Sequence, residues 1–321
     1  MIHARGAGSG DLRTLYAKIQ DSEHGLDHDE AIGELLESEI LEEGRGLFLQ
    51  RVLEEIEYRI AVLGADYPFE LDSAGSQWRI LPTPRCPAGK QVAARCCYLF
   101  CLLASALRDD CVHGARGAYL KRRMERLFQD VAVDAAAAIM NGNAVSFGWP
   151  RPAGTGFRPA LADACRQLGL GEPLQHLPAW SRGQEKDAGI DVIAWREFRD
   201  RHPGKLVMLG QVASGRDWPS KSVKKDTSRF FAWFSKSPTE HFIPSIFIPF
   251  PQYHECRPHD ETPFADVAEA EAWLRERSLG LVVDRLRIVE VAAARLADAE
   301  ERVGLLCDWV RRALVMARAA A

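Results

Sequence analysis

The chain has 321 residues, with 41 Lys and Arg against 45 Asp and Glu, for a formal net charge of −4. Hydrophobic residues make up 47% of it and charged residues 27%, enough apolar surface to offset the entropy of ordering, which excludes a disordered chain. Near-neutrality argues against a protein that coats nucleic acid by bulk charge, but not against a local basic surface.

Length suggests one large domain or two modest ones. No run of about 18 apolar residues occurs, so a membrane-spanning helix is not expected. The opening Met1-Ile2-His3-Ala4-Arg5-Gly6 lacks the charged and apolar regions of an export signal, and the cytoplasm is the expected compartment.

From Asp11 to Leu63 the pattern is helical. Leu12, Leu15, Tyr16 and Ile19 share one face, Asp29 caps a second helix through Glu42, and a third runs from Leu47 until Gly64 stops it. Residues 21–57 hold thirteen carboxylates against Arg45 and Arg51, the composition of a solvated acidic face. Tyr67 to Leu81 predicts an extended excursion or short hairpin. A helix bearing Cys96, Cys97 and Cys101 follows and ends near Asp110.

The eight cysteines read as buried thiols rather than disulfides in a chain of this length without an export signal. No CxxC pair is present, and His254, Cys256 and His259 form a polar loop with no second ligand cluster. The breaker Gly114-Ala115-Arg116-Gly117 sets the expected boundary between a helical domain over 1–115 and a second domain over 116–321.

That second domain has a different order. A long helix over Ala118–Met140 is stopped by Asn141-Gly142-Asn143, and a short strand covers Ala144–Gly148. A helix over Arg158–Leu168 follows a Pro- and Gly-rich loop. Gly189–Trp195 and Lys205–Ala213 predict a strand pair across a polar turn. A helix spans Val223–Phe234, and Pro244–Phe250 is a strand by its β-branched and aromatic content. Leu281–Val291 reads as a short strand or buried segment between terminal helices over Phe264–Arg277 and Asp298–Arg318. The fold class is therefore α/β (α+β), with a helical first half.

The succession from Ala118 to Phe250 resembles the αβββαβ core of the PD-(D/E)xK nuclease superfamily, in its Mrr-like restriction endonuclease branch. Asp187-Ala188-Gly189-Ile190-Asp191 is similar to the family's DxGxD segment, and Gly210-Gln211-Val212-Ala213 to its Q-x-K strand. Leu127-Phe128-Gln129 resembles its Phe-Glu pair. The resemblance covers about 40% of the chain (118–250).

It implies a magnesium- or manganese-dependent endonuclease acting on DNA in restriction or anti-phage defence, with Asp191 and Gln211 as metal ligands. The chain departs from the pattern twice. Ala213 stands at the family's lysine position and Gln129 at its helix carboxylate. Lys221, or Arg216, returns the cation, with Lys221 preferred because arginine is a poor proton shuttle. Glu125, one turn before Gln129, supplies a carboxylate on the same helix face.

Arg196 to Lys236 contains ten Lys and Arg against four Asp and Glu. With Lys224, Lys225, Arg122 and Arg123 it predicts a phosphate-contacting face. The same residues leave open a second reading, a non-cleaving nuclease-fold subunit that binds nucleic acid or scaffolds a defence complex. The acidic helical half is expected to bind a protein partner or mediate oligomerisation.

Overall fold

The structure, a computed structural model, describes residues 46, 49–74, 77–83, 89–109, 114–149, 151, 155–176, 178, 181, 185–200, 202–252 and 267–318. The helices expected over 11–42 and the polar loop with His254, Cys256 and His259 lie outside the described residues.

The chain forms two compact units that divide between Cys86 and Pro87. In the first, helix α1 (49–63) ends in a 3-10 turn at Gly64–Asp66, where Gly64 takes a positive φ of 52°. Strands β1 (Phe69–Ala74) and β2 (Gln77–Pro82) form an antiparallel hairpin with Phe69 opposite Pro82.

The division corrects the boundary expected at 115. Helix α2 (Lys90–Arg108) packs on elements of the second unit: α3 (Gly114–Ile139), α7 (Arg285–Ala297) and α8 (Glu300–Arg318). Its apolar cysteine face belongs to that core, with Cys97, Phe100, Cys101 and Ala104 fully buried. Among the described residues α2 is the helix long and apolar enough to cross a membrane, with mean hydropathy 1.3. Burial inside the helical layer accounts for that composition. Phe100 lies edge-on to Trp309 at 4.9 Å and tilted to Phe128 at 6.5 Å, and Trp309 donates to the Leu120 carbonyl at 3.2 Å.

A five-stranded mixed sheet forms the other half of this unit, in the order β3 (Asn143–Ser146), β5 (Val192–Arg196), β6 (Leu206–Val212), β8 (Ile243–Phe247), β9 (Leu281–Val283). The β3/β5 and β5/β6 pairs are antiparallel, whereas β6/β8 and β8/β9 are parallel. Residues Val192–Trp195 are all buried, the pattern of a strand covered on both faces.

Ile193, Trp195, Val207 and Leu209 face a core with α4 (Phe157–Leu168) and α5 (Val223–Phe231), while α3 packs on β3, β5 and β6. The strand pair expected over 189–213 is thus observed. Two short strands, β4 (Glu172–Pro173) and β7 (Phe234–Lys236), make a separate pair that periodicity does not reveal.

The segment over 281–291, expected as a short strand or buried segment, is a short strand to Val283. Asp284 then caps α7, accepting from the backbone N–H groups of Leu286 and Arg287 at 3.1 Å each and from Gln252 at 3.1 Å. Helix α6 (Val267–Leu279) precedes β9.

Candidate nucleic-acid cleavage site

Asp191 sits one residue before β5, held from three sides. Its backbone N–H donates to the Gly210 carbonyl at 2.8 Å, and its own carbonyl accepts from Phe147 at 2.7 Å and Gly148 at 2.9 Å. Gln129 on α3 donates through Nε2 to the same carbonyl at 2.7 Å and to Ser146 Oγ at 3.2 Å. The approach to Asp191 is a turn in which Asp187 Oδ1 accepts from the Gly189 N–H at 2.9 Å, with Ala188 and Gly189 both at positive φ, 53° and 82°. A left-handed alanine is an uncommon conformation for a non-glycine residue.

Asp191 is half-buried. Oδ2 accepts from the Val212 backbone N–H at 2.8 Å. A Cβ on Gly148 would stand 2.5 Å from Oδ1, so glycine there lets the backbone close over the acid. Burial pushes the Asp191 carboxyl up to about 6. The Val212 N–H opposes that rise, the Asp187 charge adds to it, and the Lys221 and Arg151 charges draw it down.

Gln211 on β6 is 7% exposed. Its Nε2 donates to Asp226 Oδ2 on α5 at 3.2 Å, whereas Oε1 is buried with no hydrogen-bond partner. Asp226 takes the amide's donor end and leaves the oxygen end vacant. An orphaned buried oxygen is costly unless something satisfies it.

Two oxygen donors, one anionic and one neutral, fit a hard divalent cation that retains several waters. Among the described residues no group of three His, Cys, Asp or Glu converges on one point. A site here rests on few protein ligands.

Ala213 is fully buried in a cluster with Trp218, Ile246, Ile248 and Phe250, so the position where the resemblance implied a lysine is an apolar packing position. The chain then makes a 3-10 turn, Trp218–Ser220, and reaches Lys221, whose N–H donates to the Trp218 carbonyl at 3.1 Å. Lys221 is half-buried and its charge acts on Asp191.

Arg216 is directed elsewhere. It donates to the Arg108 carbonyl at 3.2 Å and lines a pocket of about 240 Å³ with Lys121, Met124 and Gly215. Glu125 is exposed on α3, and Gln129 is the residue of that helix that reaches Asp191. Lys224 is exposed and donates through Nζ to the Arg277 carbonyl at 2.7 Å. Lys225 and Arg122 are exposed and Arg123 is half-buried.

Two residues of the site escape sequence reasoning. Arg151, only 8% exposed, lies over the Phe147 ring at 4.9 Å and donates to the carbonyls of Lys186 and, at 3.4 Å, Thr155. Its Nε is buried without a partner. Burial lowers its pKa, against the Asp187 and Asp191 charges, which raise it. Asp226 is the second. Each comes from a segment distant in sequence from the motif it serves, and the one available signal is an arginine beside Trp149 in a Pro- and Gly-rich loop.

No family, curated protein or solved structure matches this chain.

Proposed function

We propose that the chain is a metal-dependent endonuclease that hydrolyses phosphodiester bonds, with DNA as substrate and restriction or anti-phage defence as its role in the cytoplasm. The observation that carries this reading is the buried Gln211 Oε1 without a hydrogen-bond partner, on the residue before the Val212 N–H that the Asp191 carboxylate accepts, with the Lys221 charge acting on that carboxylate. The element order supports it. A helix, three strands in antiparallel succession, a helix and a parallel strand are the elements the resemblance calls for, with α4, β4 and β7 as insertions.

Asp191 and Gln211 would hold magnesium or manganese, which when bound polarises the scissile phosphate and acidifies a water. The protein's own residues prepare that step. Val212 and Gln129 fix the strand end that carries Asp191, and Asp226 aims the Gln211 oxygen. Lys221 supplies positive charge where negative charge develops on the phosphate. Arg151 adds a fixed positive charge behind Asp187 and Asp191. The acidic helical half serves a protein partner or self-association in this reading.

Plasmid nicking with magnesium or manganese is expected of the purified chain, and Asp191→Ala is expected to abolish it. A second reading, a non-cleaving subunit that binds nucleic acid, is favoured by the buried Ala213 and by Gln129, which donates where the family places a carboxylate. Retained DNA binding with no nicking in either metal selects that reading.

A further inference from the structure

The cysteine-bearing helix α2 and the last helix α8 meet at a pair of thiols. Cys96 Sγ and Cys307 Sγ lie 2.7 Å apart and share a hydrogen bond across 211 residues of sequence. A disulfide bond is about 2.05 Å long, so less than an ångström of closure separates this contact from a covalent link. The geometry points to Cys96 and Cys307 as a reversible disulfide site, closed by a hydroperoxide-class oxidant and opened by a dithiol.

The two sulfurs differ in a way that divides the work. Cys307 is half-buried, within reach of a small oxidant, whereas Cys96 is 6% exposed. The hydrogen bond with Cys96, then the Arg311 charge, draws the Cys307 thiol down to about 7, against burial and the Asp308 charge. Cys96 is raised, chiefly by the same bond and by burial, so it keeps its proton. Cys307 is therefore the thiolate that attacks, since reactivity follows the thiolate fraction and exposure.

In the first step the Cys307 sulfur attacks one peroxide oxygen. The O–O bond breaks, hydroxide leaves and a sulfenic acid forms. In the second the Cys96 sulfur attacks the sulfenyl sulfur, the S–S bond forms and the S–O bond breaks. The departing hydroxide leaves as water with the Cys96 proton. Each sulfur is oxidised by one electron and the peroxide is reduced by two, to one water and one hydroxide that takes up the proton Cys307 had released to solvent.

The other close pair does not compete. Cys97 and Cys101 interact within α2, one turn apart in a single helix. Cys165 is buried, and burial pushes its thiol up to about 11.

The experiment treats the full chain with hydrogen peroxide, quenches in acid, then denatures and alkylates. Trypsin cuts after Arg95, Arg108, Arg302 and Arg311, so the expected product is a peptide of 96–108 joined to one of 303–311. It should form within one chain, disappear on dithiothreitol treatment and be absent in Cys307→Ala. Cys96→Ser separates Cys96 from Cys97 and Cys101, because the joined peptide should vanish there too.

Full alkylation of all eight cysteines after peroxide would overturn the proposal. So would Cys307 recovered as sulfinic acid, a joined peptide that survives Cys96→Ser, or a link between two chains. The wild-type readout stands whether or not either variant folds.

Discussion

At Asp191 two demands meet in one carboxylate. Burial favours the neutral acid, whereas the cation site proposed above requires the anion, and one backbone N–H and two nearby cations oppose the burial. In the metal-free protein the folded state binds its proton up to about pH 6, while the unfolded chain releases it near 3.8. Stability therefore falls as pH rises through that window and stays lowered above it. Asp191→Asn keeps an oxygen for the Val212 N–H and removes the charge. In EDTA it should raise the melting temperature at pH 8 and leave it unchanged at pH 4, with a gain of at most about 3 kcal/mol.

Gln211 gives a second test. Asp226→Ala frees the amide that Asp226 orients and should weaken manganese binding by about 10–100-fold, as loss of an orienting partner does. Titration calorimetry checks it, with the thermal transition as control. Asp191 and Gln211 stand out in sequence as candidates because each lies in a short local pattern. Arg151 and Asp226 were not, because the turn, strand and helix that bring them in are joined only by folding.

Elements show the same contrast between local and folded information. The β5/β6 pair was readable from two β-branched runs flanking a polar turn. Helix α7 was hidden because the β-branched strand Leu281–Val283 runs into it in sequence and the boundary between them is a single residue, Asp284. That side chain satisfies three backbone donors at once, and Asp284→Ala should cost about 2 kcal/mol or more in urea unfolding.

The β6 end offers a sharper discrimination. Ala213→Lys introduces the lysine that the resemblance would place there but drives an ammonium into the cluster with Trp218. It should destabilise the protein by several kcal/mol and rescue nothing. Lys221→Ala, just past the 3-10 turn, should abolish the nicking proposed above while leaving the unfolding free energy in urea within about 0.5 kcal/mol of wild type. Ala213 looked like a defect in the motif. The Trp218 packing shows why no lysine fits there.

At the largest scale, the helical layer of the second unit is organised around helix α2. Sequence reasoning placed a boundary at the glycines near 115, because breakers mark chain turns and carry no information about what packs on what. The contacts decide otherwise. Arg285, 2% exposed on α7, donates to Ser105 Oγ on α2 at 2.6 Å and to the Pro249 carbonyl at 3.0 Å, with its guanidinium 5.5 Å from the Tyr98 ring. Removing α2 strips Phe100 from Trp309 and Phe128 and leaves that buried guanidinium short of partners, a change costing about 3–5 kcal/mol for the charge alone.

With a typical total stability of about 5–15 kcal/mol, the two losses together exceed what such a core can absorb. A chain beginning at Pro87 should therefore unfold in one cooperative transition. A chain beginning at Arg116 should lack a sharp thermal transition and bind a hydrophobic dye. Cooperative unfolding of the shorter chain would return α2 to the first unit and restore the boundary at 115.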